Sequence, residues 1–396
     1  MTSAMRPTVF FGPFIGEFGW EFKFWQGWVR RMCRGPFRDH WKVAASFPGR
    51  HVFYPDVDEF WPHPPQLAVG TVSALGYITD YWRNGWPKPN RRFEKRGFFG
   101  RSRWVKETFD AADHRPDVEP RLVALLEEYR AKLGAETTWF VPWRLNVIDD
   151  DRMTFGATYP DRPAADEDFV QYSIPFHRQA LELLRASEAG RKALAEQGAT
   201  DATEFIAIFP RHRRLRRPDK NWQQDRWDAL LPRLRRRWPQ LQIAILGEPG
   251  GAFYEDGVPA GCLDLINVPP DVRLDTQIAL LQRARVAIGT VSGAIIVAQA
   301  TGAPTVTWDY PGRRMQAETL NFFDTPMICL DRIDPSVETV EEAVATTLAS
   351  AGQGQTRLPT PGDLLRRTKA LDGVFRFKFE EVPTGSLAGE PRAQRS

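Results

Sequence analysis

Arginine is concentrated where a strand should end. The apolar run Phe205–Phe209 leads into Arg211-His212-Arg213-Arg214-Leu215-Arg216-Arg217, with Lys220 shortly after. Guanidinium forks match phosphate oxygens in pairs, and such charge-assisted bonds are roughly twice as strong as neutral ones. Not all of these arginines can point inward. Arg211 and Arg213 share one face with the strand's last residues, so these two and Lys220 are the candidate phosphate ligands. Further on, Val286–Ile288 runs through Gly289-Thr290-Val291-Ser292-Gly293 into an apolar helix. A strand feeding a small-residue turn and then a helix leaves unpaired N–H groups and the positive end of the helix dipole at the sheet's carboxyl edge. Ser292 and Gly293 are therefore the candidate anion-binding backbone, and arginines beside them would neutralise a departing diphosphate.

Carboxylates supply the complementary chemistry. Glu17 and Glu21 lie in Gly12-Pro13-Phe14-Ile15-Gly16-Glu17-Phe18-Gly19-Trp20-Glu21, directly after the short strand Thr8–Phe11. Either suits a general base or a clamp for a substrate hydroxyl; either could equally stabilise the first turn of the following helix against its dipole. His212 is an alternative proton handler, which its arginine neighbours should hold neutral. Glu248, at the end of the strand Gln242–Leu246, has the position from which acidic residues accept hydrogen bonds from a ribose diol, and also the position of an ordinary turn residue. Asp149-Asp150-Asp151 has a spacing that oxygen ligands for Mg²⁺ or Mn²⁺ use, but it reads better as a polar turn closing a strand, and no metal site is expected. A dinucleotide fingerprint G-x-G-x-x-G is absent.

The elements that must hold these residues alternate. Thr8–Phe11, a helix reaching Cys33 with Phe22, Trp25 and Val29 on one face, and the strand Lys42–Phe47 open the chain as β-loop-α-β. Glu119–Leu133 predicts a helix, Thr137–Val141 a strand, and Tyr172 to about Gly198 a helix that hands the chain to a second half. There the order is strand Phe205–Phe209, helix Asn221–Trp238, strand Gln242–Leu246, strand Leu263–Val268, helix Asp275–Arg285, the Ser292 turn and its helix, and a strand after Pro304. Strand Pro326–Leu330 and helices Val337–Ser350 and Leu364–Leu371 follow. Continuous apolar strands alternating with helices predict α/β architecture, with parallel doubly wound sheets covered on both faces. Residues 1–198 are expected to form one such domain and 199–380 another, with 381–396 a Gly/Pro/Ser-rich disordered tail.

Composition sets the limits. With 42% hydrophobic and 26% charged residues, 396 residues suffice for two packed cores and exclude wholesale disorder. A net charge of +3 is too small to argue for nucleic acid unless the basic residues cluster. They do so twice, in Arg211–Arg217 and in Asn90–Lys106, where they alternate with Phe93, Phe98, Phe99 and Trp104. The second stretch could grip a polyanionic acceptor or a membrane head-group layer, or be a solvated loop. Cys33, Cys262 and Cys329 show no metal-ligand spacing and read as small apolar packers in a reducing compartment. No run is long and apolar enough to span a membrane, so a cytoplasmic protein is expected, with possible peripheral membrane contact.

Two doubly wound halves, a glycine loop after the first strand and a phosphate site in the second half resemble the GT-B glycosyltransferases, whose two Rossmann-like domains face each other across a cleft. The second half is similar to the lipopolysaccharide heptosyltransferases: Lys220-Asn221-Trp222 meets their Lys-x-Trp segment, and Ser292-Gly293 with Thr301-Gly302-Ala303-Pro304-Thr305-Val306 meets in part their Asp-Ser-Gly turn and Ala-Gly-x-Pro-Thr-Val run. Arg211-His212-Arg213-Arg214 resembles the His-x-Arg-Arg motif of fucosyltransferases that use GDP-fucose. Val291 stands where the heptosyltransferase turn has aspartate and Ile296 where it has histidine, so the resemblance carries the phosphate-binding backbone without naming base or sugar. It implies an inverting, metal-independent transfer. A nucleotide-diphosphate sugar, the donor substrate and no cofactor, would lie on the second domain. The acceptor, a glycan, lipid-linked, small-molecule or nucleic-acid hydroxyl, would lie on the first, and Glu17 or Glu21 would take its proton.

Two other classes fit the same residues. A nucleic-acid-binding protein would use both basic stretches as one stripe and lose affinity steeply with salt. A non-catalytic sugar-nucleotide sensor would keep the fold and tolerate Gln at both Glu17 and Glu21.

Overall fold

The computed structural model describes residues 6–14, 18–64, 91–94, 103–106, 118–134, 136–141, 153–155, 172–213, 218–350, 356–372, 374 and 376–377. The first half begins with β1 (Thr8–Phe11), a helical turn at Phe18–Trp20, a π-helical turn at Glu21–Trp25 and α1 (Gln26–Arg34). Next come β2 (Trp41–Ser46), β3 (Glu59–Pro62), the antiparallel pair β4 (Arg91–Glu94) and β5 (Arg103–Lys106), α2 (Val118–Lys132), β6 (Thr138–Val141) and β7 (Met153–Phe155). Its sheet is parallel with order β3-β2-β1-β6-β7.

The second half comprises β8 (Tyr172–Ser173), α3 (Glu188–Glu196), β9 (Phe205–Phe209), α4 (Gln224–Arg237), β10 (Gln242–Ile245), β11 (Leu263–Asp264), α5 (Pro270–Leu281) and β12 (Ala284–Thr290). It continues with α6 (Gly293–Thr301), β13 (Thr305–Trp308), α7 (Arg314–Leu320), β14 (Met327–Leu330), α8 (Val337–Ala349), α9 (Pro361–Ala370) and β15 (Arg376–Phe377). The sheet is again parallel, ordered β11-β10-β9-β12-β13-β14. Both sheets are doubly wound and Rossmann-like.

The apolar strands explain why both faces are covered. Phe205, Ala207 and Phe209 of β9 enter a hydrophobic cluster continuous with the first half, while Ile206 and Ile208 enter a second one with Trp222, Trp227 and Trp308. A strand with no polar face must be covered on both sides.

The segment 174–187 departs from expectation. It is not helical: only Glu188–Glu196 is, after a 3₁₀ turn at Phe176–Arg178. Pro175 disfavours helix at Ile174, and the extended stretch spends its backbone on remote partners. Ala180 N–H donates to the Gly27 carbonyl at 2.8 Å and Leu184 N–H to the Ala300 carbonyl at 2.8 Å, so the crossing strap is pinned to α1 and to α6. Arg34 pairs with Glu182, which ties α1 to the same strap, and with Asp56 (2.8 Å) before β3. α9 returns to it, Thr368 Oγ1 accepting the Phe176 N–H at 3.1 Å. Three helices also start elsewhere, α9 at Pro361 and not at Leu364. α5 begins at Pro270, a residue preorganised for the first helical position, and not at Asp275; α4 begins at Gln224, after Lys220-Asn221-Trp222.

One buried histidine braces the first ligand-edge loop. His63, 1% exposed, bonds the Phe14 carbonyl through Nε2 (2.8 Å) and Tyr129 Oη through Nδ1 (3.2 Å). Burial pushes its pKa down from 6.5 to about 4. The unfolded chain therefore binds a proton that the folded chain refuses, so His63's contribution is intact above pH 6.5 and lost as pH falls towards about 4. The loss approaches about 3 kcal/mol over that window. In urea melts at stepped pH, His63→Gln should show a shallower acid-side fall in stability than wild type; parallel curves would contradict this.

Candidate functional site

In an open parallel sheet, ligands bind beyond the carboxyl ends of the strands where the strand order reverses. In the second sheet that point lies between β9 and β12. Past β9 come Pro210 to Arg213; past β12 come Val291, Ser292 and Gly293, which starts α6. Ser292 is extended (φ −156°, ψ 175°) and its side chain caps nothing, so it leaves the first-turn N–H groups of α6 without a side-chain cap.

Lys220, Asn221 and Trp222 fasten the basic turn to this helix end, each facing a different way. Trp222 is the anchor, packed against Trp227 and Trp308 at ring separations of 4.6 and 5.2 Å, with Nε1–H donating to the Pro335 carbonyl. Asn221 Oδ1 accepts from Arg211 Nη1 and from the Arg213 N–H (3.0 Å), while Nδ2 donates to the Arg213 carbonyl at 2.8 Å. Lys220 Nζ donates to the Val291 carbonyl at 2.9 Å and pairs with Asp309 at 2.9 Å, and its own carbonyl accepts from Thr290 Oγ1. Arg211, Arg213, Lys220, Ser292 and Gly293 are thereby brought to one edge.

Glu248 joins them from the next strand. Its loop is laced to the basic turn: His212 N–H donates to the Gly251 carbonyl (2.9 Å), Phe253 N–H to the Pro210 carbonyl (2.7 Å), and Arg211 bridges Ala252. His212 stacks on Phe253 at 4.3 Å. Glu248 Oε1 is buried without a hydrogen-bond partner, an acceptor a hydroxyl would satisfy.

The first half meets this edge at Gly19. A Cβ on Gly293 would lie 2.9 Å from Gly19 N and Cα and from the Phe18 ring, and one on Gly19 would lie 3.2 Å from Gly293 Cα. Only two residues without side chains permit this approach, so the glycine loop and the α6 N-terminus touch.

Glu21 is not where a base is needed. It has no exposed surface; Oε1 accepts from Ser46 Oγ (2.5 Å) and Tyr54 Oη (2.6 Å), and Oε2 pairs with Arg50 Nη1 (2.5 Å). Burial raises its pKa, opposed by Arg50 and by the three hydrogen bonds. No substrate hydroxyl reaches a carboxylate so enclosed, which corrects the expectation of an open one. Glu17, Arg214, Arg216, Arg217 and Asp149–Asp151 lie outside the described residues, as do the side chains of the β4–β5 hairpin. Among the described residues no three His, Cys, Asp or Glu side chains gather as a metal site. The buried Cys33 thiol is pushed up to about 12 by desolvation, in keeping with a packing role.

Sequence reasoning missed the roles of Asn221 and Asp309: Asn221 clamps Arg211 and Arg213, and Asp309 pairs with Lys220. Asp309 is 5% exposed; pairing of Thr290 with Trp308 makes it the cross-strand neighbour of Val291, so a carboxylate absent from the turn stands one strand over. The signal was its position directly after the apolar strand Thr305–Trp308.

Residues 170–308 match the family model described as Glycosyltransferase family 9 (heptosyltransferase), a segment that includes Arg211, Arg213, Lys220, Glu248, Ser292 and Gly293. It is a glycosyltransferase domain. No curated protein matches the chain. Among solved structures, a glycosyl transferase family 9 protein from Veillonella parvula is similar with TM-score 0.50 and 12% identity, over 88% of this chain and 99% of that one. An ADP-heptose lipopolysaccharide heptosyltransferase II from E. coli gives TM-score 0.47 and 14% identity, over 87% and 99%. The first likeness supports the two-halved fold.

Proposed function

We propose that this chain transfers a sugar from a nucleotide-diphosphate donor, held at the carboxyl edge of its second sheet, to an acceptor hydroxyl presented by its first half. The observation that carries the reading is the gathering of Arg211, Arg213, Lys220, Glu248 and the uncapped α6 N-terminus where the strand order reverses, within the segment that matches the glycosyltransferase family.

The roles follow from charge. The diphosphate gains negative charge as its bond to the anomeric carbon breaks and takes the electron pair with it. Guanidinium groups and helix N–H groups stabilise that charge without a metal ion. Glu248 Oε1 accepts from a ribose hydroxyl. The acceptor oxygen attacks the opposite face, inverting the anomeric centre, and its proton passes to Glu17, since Glu21 is enclosed. A glycan or lipid-linked acceptor is the class proposed, and no helix among the described residues is long and apolar enough to cross a membrane. Three unpaired thiols suit action in the cytoplasm.

A thermal-shift series with nucleosides, nucleoside diphosphates and nucleotide sugars tests the donor site. At 100 times its dissociation constant, one diphosphate should stabilise the protein by about 2.7 kcal/mol, and its nucleoside far less. Arg213→Ala should weaken that ligand by about 1.5–3 kcal/mol, the worth of a hydrogen bond to a charged group, or roughly ten- to hundredfold. A flat response to every nucleotide would contradict the reading.

A further inference from the structure

Arg50 is a buried arginine that the donor and acceptor roles leave unused. It is 5% exposed and lies in the turn after β2, where its guanidinium pairs with Glu21 at 2.5 Å. The same guanidinium stacks over the Phe18 ring at 4.3 Å and flanks Phe47 at 5.8 Å. Phe18 in turn is the ring against Gly293, at the start of α6. The Arg50 turn touches the second half a second time. Gly49 is left-handed (φ 77°), and a Cβ there would lie 2.4 Å from the Pro270 carbonyl, at the first turn of α5. Phe53, from the same turn, packs on Phe18 and Phe22 at 5.5 and 5.6 Å. The Arg50 turn therefore touches the start of α5 directly and the start of α6 through Phe18, and Arg50 is its charged centre.

A buried ion pair of this kind is weak evidence of stability, because desolvating both charges offsets most of their attraction. Its geometry is specific, however. The cation–π contact fixes the Phe18 ring. The carboxylate, held by Ser46 and Tyr54, fixes the cation. Phe18 and Gly19 stand against the start of α6, so the placement of this ring sets how the first half meets the proposed diphosphate site.

We propose that Arg50, paired with Glu21, is a positioning residue that sets how closely the glycine loop of the first half approaches the donor-binding helix of the second. The inference rests on the donor reading above and adds to it the part that aligns the two halves.

The test uses the full chain and three forms: wild type, Arg50→Lys, and the double variant Arg50→Met with Glu21→Gln. Removing Arg50 alone would strand a buried carboxylate; the double change removes both charges, and Gln keeps an acceptor for Ser46 and Tyr54. Amide hydrogen exchange is read first, because it needs no donor. The double variant should exchange faster at residues 18–27 and 293–299 together, with residues 205–209 as in wild type, and Arg50→Lys should fall between. Turnover is read next, as nucleoside diphosphate released from the nucleotide sugar that wild type consumes. The double variant should lose about 100-fold in kcat, the scale of a 1 Å misplacement, while its donor KM stays within about twofold, because uniform binding is untouched.

Exchange identical to wild type at both segments overturns the proposal, whatever nucleotide the protein takes. So does a loss spread equally over donor affinity, the 205–209 strand and kcat, which marks a merely structural pair. If wild type itself answers no nucleotide, the donor reading fails, and the exchange result still decides for or against Arg50.

Discussion

Glu17→Gln should lower turnover by about 10²–10⁴-fold, the usual contribution of general base catalysis, while leaving nucleoside diphosphate binding as in wild type. The expectation comes from the two carboxylates having separate fates. Glu21 has no exposed surface and gives both oxygens to Ser46, Tyr54 and Arg50. Glu17 is the other carboxylate of the pair and comes one residue before Phe18 in the sequence, and the Phe18 ring lies against Gly293 at the proposed donor edge. Glutamine preserves size and polarity but accepts no proton at neutral pH, which separates base chemistry from binding. Steady-state kcat beside a titration with the diphosphate reads both quantities. A variant with wild-type kcat would remove Glu17 from the mechanism.

Lys220→Met should cost about 3–5 kcal/mol of stability, because it leaves Asp309 buried and charged without its partner. The Lys220 and Asp309 side chains are 13% and 7% exposed, so solvent screens the pair little. Lys220 also holds the Val291 carbonyl, one residue before the N-cap of α6, so the same change should loosen the anion site. Urea unfolding reads the first effect and diphosphate affinity the second. Adding Asp309→Asn to Lys220→Met should restore most of the stability but not the affinity, since the uncompensated charge is gone while the ammonium is still missing. Equal recovery of both would mean that Lys220 acts only as a structural tie.

The sequence made legible what depends on local pattern. Phe205–Phe209 reads as a doubly covered strand because all five residues are apolar, and the structure buries all five. The Ser292-Gly293 turn reads as a helix start because a strand, small residues and an apolar helix follow in order, and α6 begins at Gly293. The Lys220-Asn221-Trp222 run stood out by its resemblance to the Lys-x-Trp segment of the heptosyltransferases, though its division of labour, anchor, clamp and charge, needed three dimensions. What stayed hidden depends on remote partners. The strap 174–187 looks helical by composition, yet its N–H groups go to Gly27 and Ala300, which lie far away in sequence on either side. Glu21 looks like an available carboxylate until Ser46, Arg50 and Tyr54 fold back over it from β2 and the turn beyond. Asp309 gains its meaning only when β13 pairs with β12 and Lys220 crosses to meet it.

A crystal structure of the full chain with the nucleoside diphosphate that stabilises it most tests the central claim directly. The account predicts phosphate oxygens within hydrogen-bond distance of the Ser292 and Gly293 N–H groups and of Arg211 or Arg213, with a ribose hydroxyl on Glu248 Oε1. A nucleotide bound away from the crevice between β9 and β12, with those groups untouched, would contradict it.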